Sequence, residues 1–144
     1  MTYLDTSALV KRYVVEAGSD QVVSLMSGDR GLFTSKLAYA EMCASLARKR
    51  REGGLEREHY RRALNSYLRD WETLIRIELV DGLFPLVRRL VETHPLRGAD
   101  AVHLASAIWV RDETGEPVTF VAADTTLLAA AAAEGLPVLN PETA

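Results

Sequence analysis

The sequence predicts an α/β fold, a three-layer sandwich in which a central, mostly parallel sheet of short strands is flanked by helices. Short apolar runs bounded by turn residues alternate with helical stretches along the chain, the pattern of successive βα units. No Pro/Gly/Ser-rich linker and no internal repeat interrupts the 144 residues. They read as one domain over 1–144, long enough to bury a substantial core.

The elements follow in order. Residues 1–4 (MTYL) form a strand that runs into Asp5-Thr6-Ser7 and a helical stretch to about Tyr13. Gly18-Ser19-Asp20 opens a second helix over 21–27, and 31–34 is a strand between turn residues. A long helix over 36–52 is stopped by Gly53-Gly54. The next helix, 55–74, carries Tyr60, Leu64, Tyr67, Leu68 and Trp71 at helical spacing, a stripe that suits the core or a partner surface. Residues 75–80 (IRIELV) alternate like a strand. Helices over 83–94 and 98–113 are separated by Pro95. A strand over 118–123, a helix over 124–134 ended by Gly135, and a short strand over 137–139 complete the chain. The alanine run 129–133 reads as a small-residue helix packed on the sheet, and Cys43 as a small buried apolar residue.

Charge and composition narrow the function. Lys+Arg 17 against Asp+Glu 20 gives a net charge of −3, so nucleic-acid binding must rest on local patches rather than bulk charge. One cysteine excludes an internal disulfide framework and a cysteine-based zinc cluster. No leader-like start and no apolar stretch of membrane-spanning length is visible, and the expectation is a cytoplasmic protein.

Parallel α/β sheets bind ligands beyond the carboxyl ends of their strands. Two of those ends carry an acid, Asp5 and Asp124, each also well placed to cap the helix that follows. Glu41 lies mid-helix, where no cap is needed. Its neighbours Leu37, Ala38, Ala44 and Ser45 make a small, largely apolar face that should point inward. A carboxylate there calls for a ligand or a buried ion pair with an arginine. Asp100 opens a helix, where the dipole favours an acid, and His103 is placed beside it to position a carboxylate or a water, or to sit satisfied in the core.

Together the four acids, Asp5, Glu41, Asp100 and Asp124, can converge on one pocket. Four carboxylates at close range resist ionising together, and a divalent cation removes the conflict. Hard oxygen donors without a Cys or His cluster select Mg²⁺ or Mn²⁺, whose natural substrate is a phosphodiester. No Gly-rich phosphate loop or G-x-S-x-G elbow competes with this reading, and Ser7 replaces the second Asp that a haloacid-dehalogenase phosphatase would need.

The ordered blocks carry a resemblance. Tyr3 to Tyr13 (YLDTSALVKRY), Ala40-Glu41, Asp100 to Ala105 (DAVHLA) and Phe120 to Asp124 (FVAAD), followed by Leu127-Leu128, Gly135-Leu136 and Asn140-Pro141, resemble the PIN-domain ribonucleases of the VapC toxin type. The resemblance implies a Mg²⁺- or Mn²⁺-dependent endoribonuclease, the toxin of a type II toxin–antitoxin pair. Asp5 and Asp100 are then the more central metal ligands, joined directly or through water by Glu41 and Asp124. Thr6 and Ser7 supply hydroxyl or backbone contacts beside Asp5. It also implies a homodimer or larger toxin–antitoxin assembly, and a small antitoxin whose C-terminal segment covers the acidic groove. The helical hairpin 36–74 is the expected clamp over that antitoxin. One departure is Ala122, where many members carry Thr or Ser.

Residues 47–62 hold seven basic and three acidic side chains. Arg48 and Arg51 from this run, with Lys11 and Arg12 beside the first acidic block, are the candidate RNA contacts. A solvated helix end accounts for the same run. Two other functions share the motifs: a housekeeping RNA-processing nuclease, and a catalytically silent module that binds RNA or protein.

Overall fold

The computed structural model describes residues 1–28 and 31–144. Strand β1 (Thr2–Leu4) leads into α1 (Thr6–Leu9), a 3-10 turn at Val10–Arg12 and α2 (Ser19–Gly28). Strand β2 (Leu32–Ser35) is followed by α3 (Leu37–Arg51), α4 (Arg57–Trp71) and β3 (Ile75–Ile77). A 3-10 turn at Asp81–Leu83 precedes α5 (Phe84–Thr93) and α6 (Gly98–Thr114). Then come β4 (Thr119–Val121), α7 (Thr125–Ala133) and β5 (Val138–Leu139).

The five strands lie in the order β3-β2-β1-β4-β5, and every described pairing is parallel. The chain builds outward from β1 through β2 to β3, then returns to the other side of β1 for β4 and β5. The order therefore reverses between β1 and β4, which opens a crevice at their carboxyl ends.

Alternation along the strands makes the layers. Tyr3 points into a core built with Phe33 and Phe120 from the adjacent strands and Leu104 and Ile108 of α6. Leu4 and Val121 point the other way, onto Leu9 of α1, Met42 and Leu46 of α3, and Tyr67 and Trp71 of α4. Tyr67 and Trp71 thus belong to the core, while Tyr60, Leu64 and Leu68 are only partly buried against it.

Some boundaries differ from the expectations. The 75–80 run leaves the sheet after Ile77, whose carbonyl accepts the Lys36 N–H at 3.0 Å, and Leu79 and Val80 are exposed. Alternation persists there without a partner strand to hold it. The first helix tightens to a 3-10 turn at Val10 rather than running on. Cys43 is partly exposed, not fully buried.

At the edge of the first core, Glu134 beyond α7 receives Arg89 Nη2 at 2.5 Å and His94 Nε2 at 2.8 Å, both from the α5 segment. The Arg89 hydrogen bond holds the Glu134 carboxyl down from its usual 4.5 to about 2, against a smaller upward push from burial. A depressed acid contributes stability above its unfolded value and loses it as pH falls through the folded one. Glu134→Gln is expected to cost about 1–2 kcal/mol at neutral pH, a modest figure because Arg89 is half-exposed. Urea unfolding should show that gap closing between about pH 4.5 and 2.

Candidate active site

The acidic cleft lies at the reversal between β1 and β4. Asp5 follows β1 directly and is 4% exposed. Its extended backbone caps α1, and Oδ2 accepts from Ser7 N–H at 3.2 Å and Ser7 O–H at 2.5 Å. Ser7 Oγ also accepts the Ala123 N–H at 2.9 Å, tying the ends of β1 and β4 together. Asp124 caps α7 through Oδ1, which accepts Leu127 N–H at 3.0 Å. The capping and site readings of these residues are therefore compatible, because a cap engages one oxygen of each. Asp124 is oriented by this backbone amide, and the buried Ala122 beside it supplies no hydroxyl.

Glu41 reaches the cleft from the second turn of α3. Its Oε1 accepts Thr6 O–H at 2.7 Å and lies 2.5 Å from His103 Nε2. The inward-facing expectation for this helix face holds for Ala38, which is core, whereas Glu41, Ala44, Ser45 and Arg48 line the cleft instead. The partner of Glu41 is a histidine rather than an arginine. Asp100, in the first turn of α6, has Oδ2 3.2 Å from Arg97 Nε. His103, one turn further on, is 1% exposed, with Nε2 3.6 Å from Asp5 Oδ1 and Nδ1 2.6 Å from the Tyr3 hydroxyl.

All four predicted acids line one open cavity of about 390 Å³, together with Thr6, Ser7, Val10, Arg48 and Arg97. Each acid has one oxygen engaged by a protein donor. Among the described residues, the other oxygen of each accepts no hydrogen bond. One carboxylate from each of four segments thus lines the cleft.

The electrostatics follow from burial. Burial raises the Asp5 carboxyl above its usual value, although His103 and the Ser7 hydrogen bonds oppose it. Burial also pushes Glu41 up, but His103 and Thr6 outweigh it and the group lies below its usual range. For His103 burial pushes down, and the hydrogen bond to Glu41 with the charges of Asp5, Glu41 and Asp100 carries it above its ordinary value.

The donor set fits a hard divalent cation. Both His103 nitrogens are occupied within the protein, and Cys43 is not in the cleft lining, which leaves oxygen donors only. Asp5 is a deeply buried carboxylate with no Lys or Arg within 4.0 Å among the described residues, a charge that calls for compensation. Among the described residues no three His, Cys, Asp or Glu side chains stand together as a tight ligand cluster. The acids surround the cavity from four elements instead.

The expected RNA contacts divide. Arg48 lines the cleft. Lys11 does not, and its assignment is corrected: it is 4% exposed, and Nζ is bound by Glu142 at 2.8 Å and Glu16 at 3.1 Å. Glu16 also takes Lys49 at 3.3 Å. Lys11 therefore ties the 3-10 turn to the C-terminal segment, and Lys11→Ala should lower stability by about 1–3 kcal/mol in thermal melts, leaving RNA affinity unchanged. Arg12 is exposed, and lines a different cavity of about 520 Å³ with Arg62 and Arg69 of α4. Arg51 is exposed at the far end of α3, outside the cleft lining. Arg97 was not singled out by the sequence. Its signal is the i,i+3 spacing to Asp100, which is read as an ordinary helix pair unless the cleft is already in view.

A parallel α/β sandwich whose strand reversal gathers four acids matches the PIN domain, whose family model covers residues 2–118. The chain belongs to that family, in its VapC ribonuclease branch. It is similar to Ribonuclease VapC45 and Ribonuclease VapC49 of Mycobacterium tuberculosis, each 37% identical over 112 residues, 78% of this chain and 78% of the relative. Among solved structures, a toxin–antitoxin complex from Klebsiella pneumoniae superposes with TM-score 0.67 at 17% identity, covering 98% of both chains. FitAB bound to an IR36 DNA fragment gives TM-score 0.69 at 19% identity, over 99% of this chain and 96% of that one. These two likenesses establish the fold. No helix among the described residues is long and apolar enough to cross a membrane.

Proposed function

We propose that this chain is a divalent-metal-dependent endoribonuclease, the toxin of a type II toxin–antitoxin pair, acting in the cytoplasm. The observation that carries the chemistry is the single cleft into which four elements each present one carboxylate. The similarity to named VapC ribonucleases supports RNA as the substrate class and an antitoxin as the partner.

Asp5, Glu41, Asp100 and Asp124 would hold Mg²⁺ or Mn²⁺, with Asp5 and Asp100 as the central pair. A bound ion of this kind neutralises the acids, polarises a phosphoryl oxygen and lowers the pKa of its water. Ser7 fixes the orientation of Asp5, while Thr6 and His103 fix that of Glu41. Arg48 and Arg97, which line the same cleft, are the side chains placed to meet the RNA backbone there. The α3–α4 hairpin is assigned as the antitoxin clamp, and the working assembly as a homodimer that the antitoxin can join.

The test is cleavage of a structured RNA pool by antitoxin-free protein in Mg²⁺ or Mn²⁺, against EDTA, with calorimetric titration of Mn²⁺ alongside. Cuts that EDTA abolishes are the expected result. A folded chain that gives neither cuts nor Mn²⁺ heat would overturn the reading in favour of a silent binding module.

A further inference from the structure

We propose that Tyr3, a core residue of β1, is a positioning residue for this reaction, setting the carboxylate of Glu41 through His103. The inference rests on the nuclease reading of the cleft.

The Tyr3 ring is fully buried, stacked on Phe120 at 5.2 Å and met edge-on by Phe33 at 5.2 Å. Its oxygen accepts the Ser35 N–H of β2 at 3.2 Å, and lies 2.6 Å from His103 Nδ1. The opposite ring nitrogen lies 2.5 Å from Glu41 Oε1. A continuous hydrogen-bonded column follows from the backbone end: Ser35 N–H donates to the Tyr3 oxygen, the Tyr3 hydroxyl meets His103 Nδ1, and Nε2 meets Glu41 Oε1. Thr6 donates to the same Glu41 oxygen from the cleft side. Glu41 Oε1 is therefore held twice, and Oε2 accepts no hydrogen bond among the described residues.

Packing alone does not need the hydroxyl. The ring is already clasped by two phenylalanines, so what Tyr3→Phe removes is polar: the acceptor of the buried Ser35 N–H and the contact to His103 Nδ1. What the hydroxyl adds is control of the His103 ring. Glu41 has three rotatable bonds and sits on a helix edge, so its carboxylate direction depends on what holds it. The column Ser35–Tyr3–His103 joins β2, β1 and α6 behind the cleft, and transmits the rigidity of the sheet to an acid on α3.

The experiment is a double-mutant cycle of Tyr3→Phe and Glu41→Gln, reading Mn²⁺ affinity by calorimetry, kcat and KM for RNA cleavage, and melting temperature. Tyr3→Phe is expected to weaken Mn²⁺ binding and lower kcat by about 10-fold, leave KM unchanged, and have little further effect in the Glu41→Gln background. Loss of melting temperature alone would mean that Tyr3 serves only the core, and the same factor in both backgrounds would mean that it does not act through Glu41. His103→Gln provides the second variant should Tyr3→Phe fold poorly: it is expected to show the same losses, and an unaltered Mn²⁺ affinity and kcat would overturn the relay. A wild-type chain that neither binds Mn²⁺ nor cuts RNA defeats the nuclease reading itself. A wild type that does both, with Tyr3→Phe indistinguishable from it, defeats the role of Tyr3 alone.

Discussion

Replacing Asp5 with Asn is expected to reduce RNA cleavage by on the order of 10²- to 10³-fold while leaving the fold intact. The substitution removes one charge and little else. Asn caps helices as well as Asp does, and its oxygen can accept the same Ser7 donors that Asp5 Oδ2 accepts now. The stability effect has a definite sign. Burial raises the Asp5 carboxyl above its usual 3.8 in the folded chain. A raised acid binds its proton more tightly in the folded state, so stability falls as pH rises through the window above 3.8. At neutral pH the ionised Asp5 therefore costs stability, and the Asn variant in EDTA should melt at the same temperature as wild type or higher. The difference should vanish as the pH is lowered below 3.8, where Asp5 becomes neutral in both states. Added Mn²⁺ should raise the melting temperature of wild type and raise that of the variant far less. A variant that melts lower in EDTA at pH 7, or that cleaves at the wild-type rate, would remove Asp5 from the centre.

Asp100→Asn is expected to lose cleavage to the same degree, with the opposite small effect on stability. Asp100 is 14% exposed and sits in the first turn of α6, where its charge is favoured by the helix dipole and by Arg97. Neutralising it should cost about 0.3–1 kcal/mol rather than relieve anything. Asn retains an oxygen for Arg97, so the local geometry has no reason to change. Asp112→Asn, at the far end of the same helix and paired with Arg111 at 2.9 Å, is the control, and should cleave RNA like wild type. Cleavage rates of the three proteins, with their unfolding curves, check both statements. Equal losses in Asp100→Asn and Asp112→Asn would indicate a general effect of charge rather than a site.

Much of this candidate site is legible in the sequence. Asp5 and Asp124 announce themselves by their place at strand ends, and Glu41 by lying mid-helix among small residues with no cap to make. The tertiary arrangement brings these three and Asp100 to one cavity. The basic residues were harder. Lys11 and Arg12 are adjacent in sequence and equal in formal charge, yet one is buried against Glu142 and the other is exposed beside α4. A charge count treats them alike, because it contains no information about partners far along the chain.

Local sequence sets the alternation of strands and helices, the glycine and proline stops, and the place of each acid within its element. Those features depend on neighbours within about a turn of helix or a pair of strand residues, where periodicity and capping act. Long-range packing alone sets which hydrogen bonds hold each acid, the end of the strand begun at Ile75 after Ile77, and the meeting of Tyr3 and Glu41 through His103. Those contacts join residues 62 and 100 positions apart. They exist because β1 lies between β2 and β4 in the sheet, an order set by the packing of the whole domain and by no local run of residues.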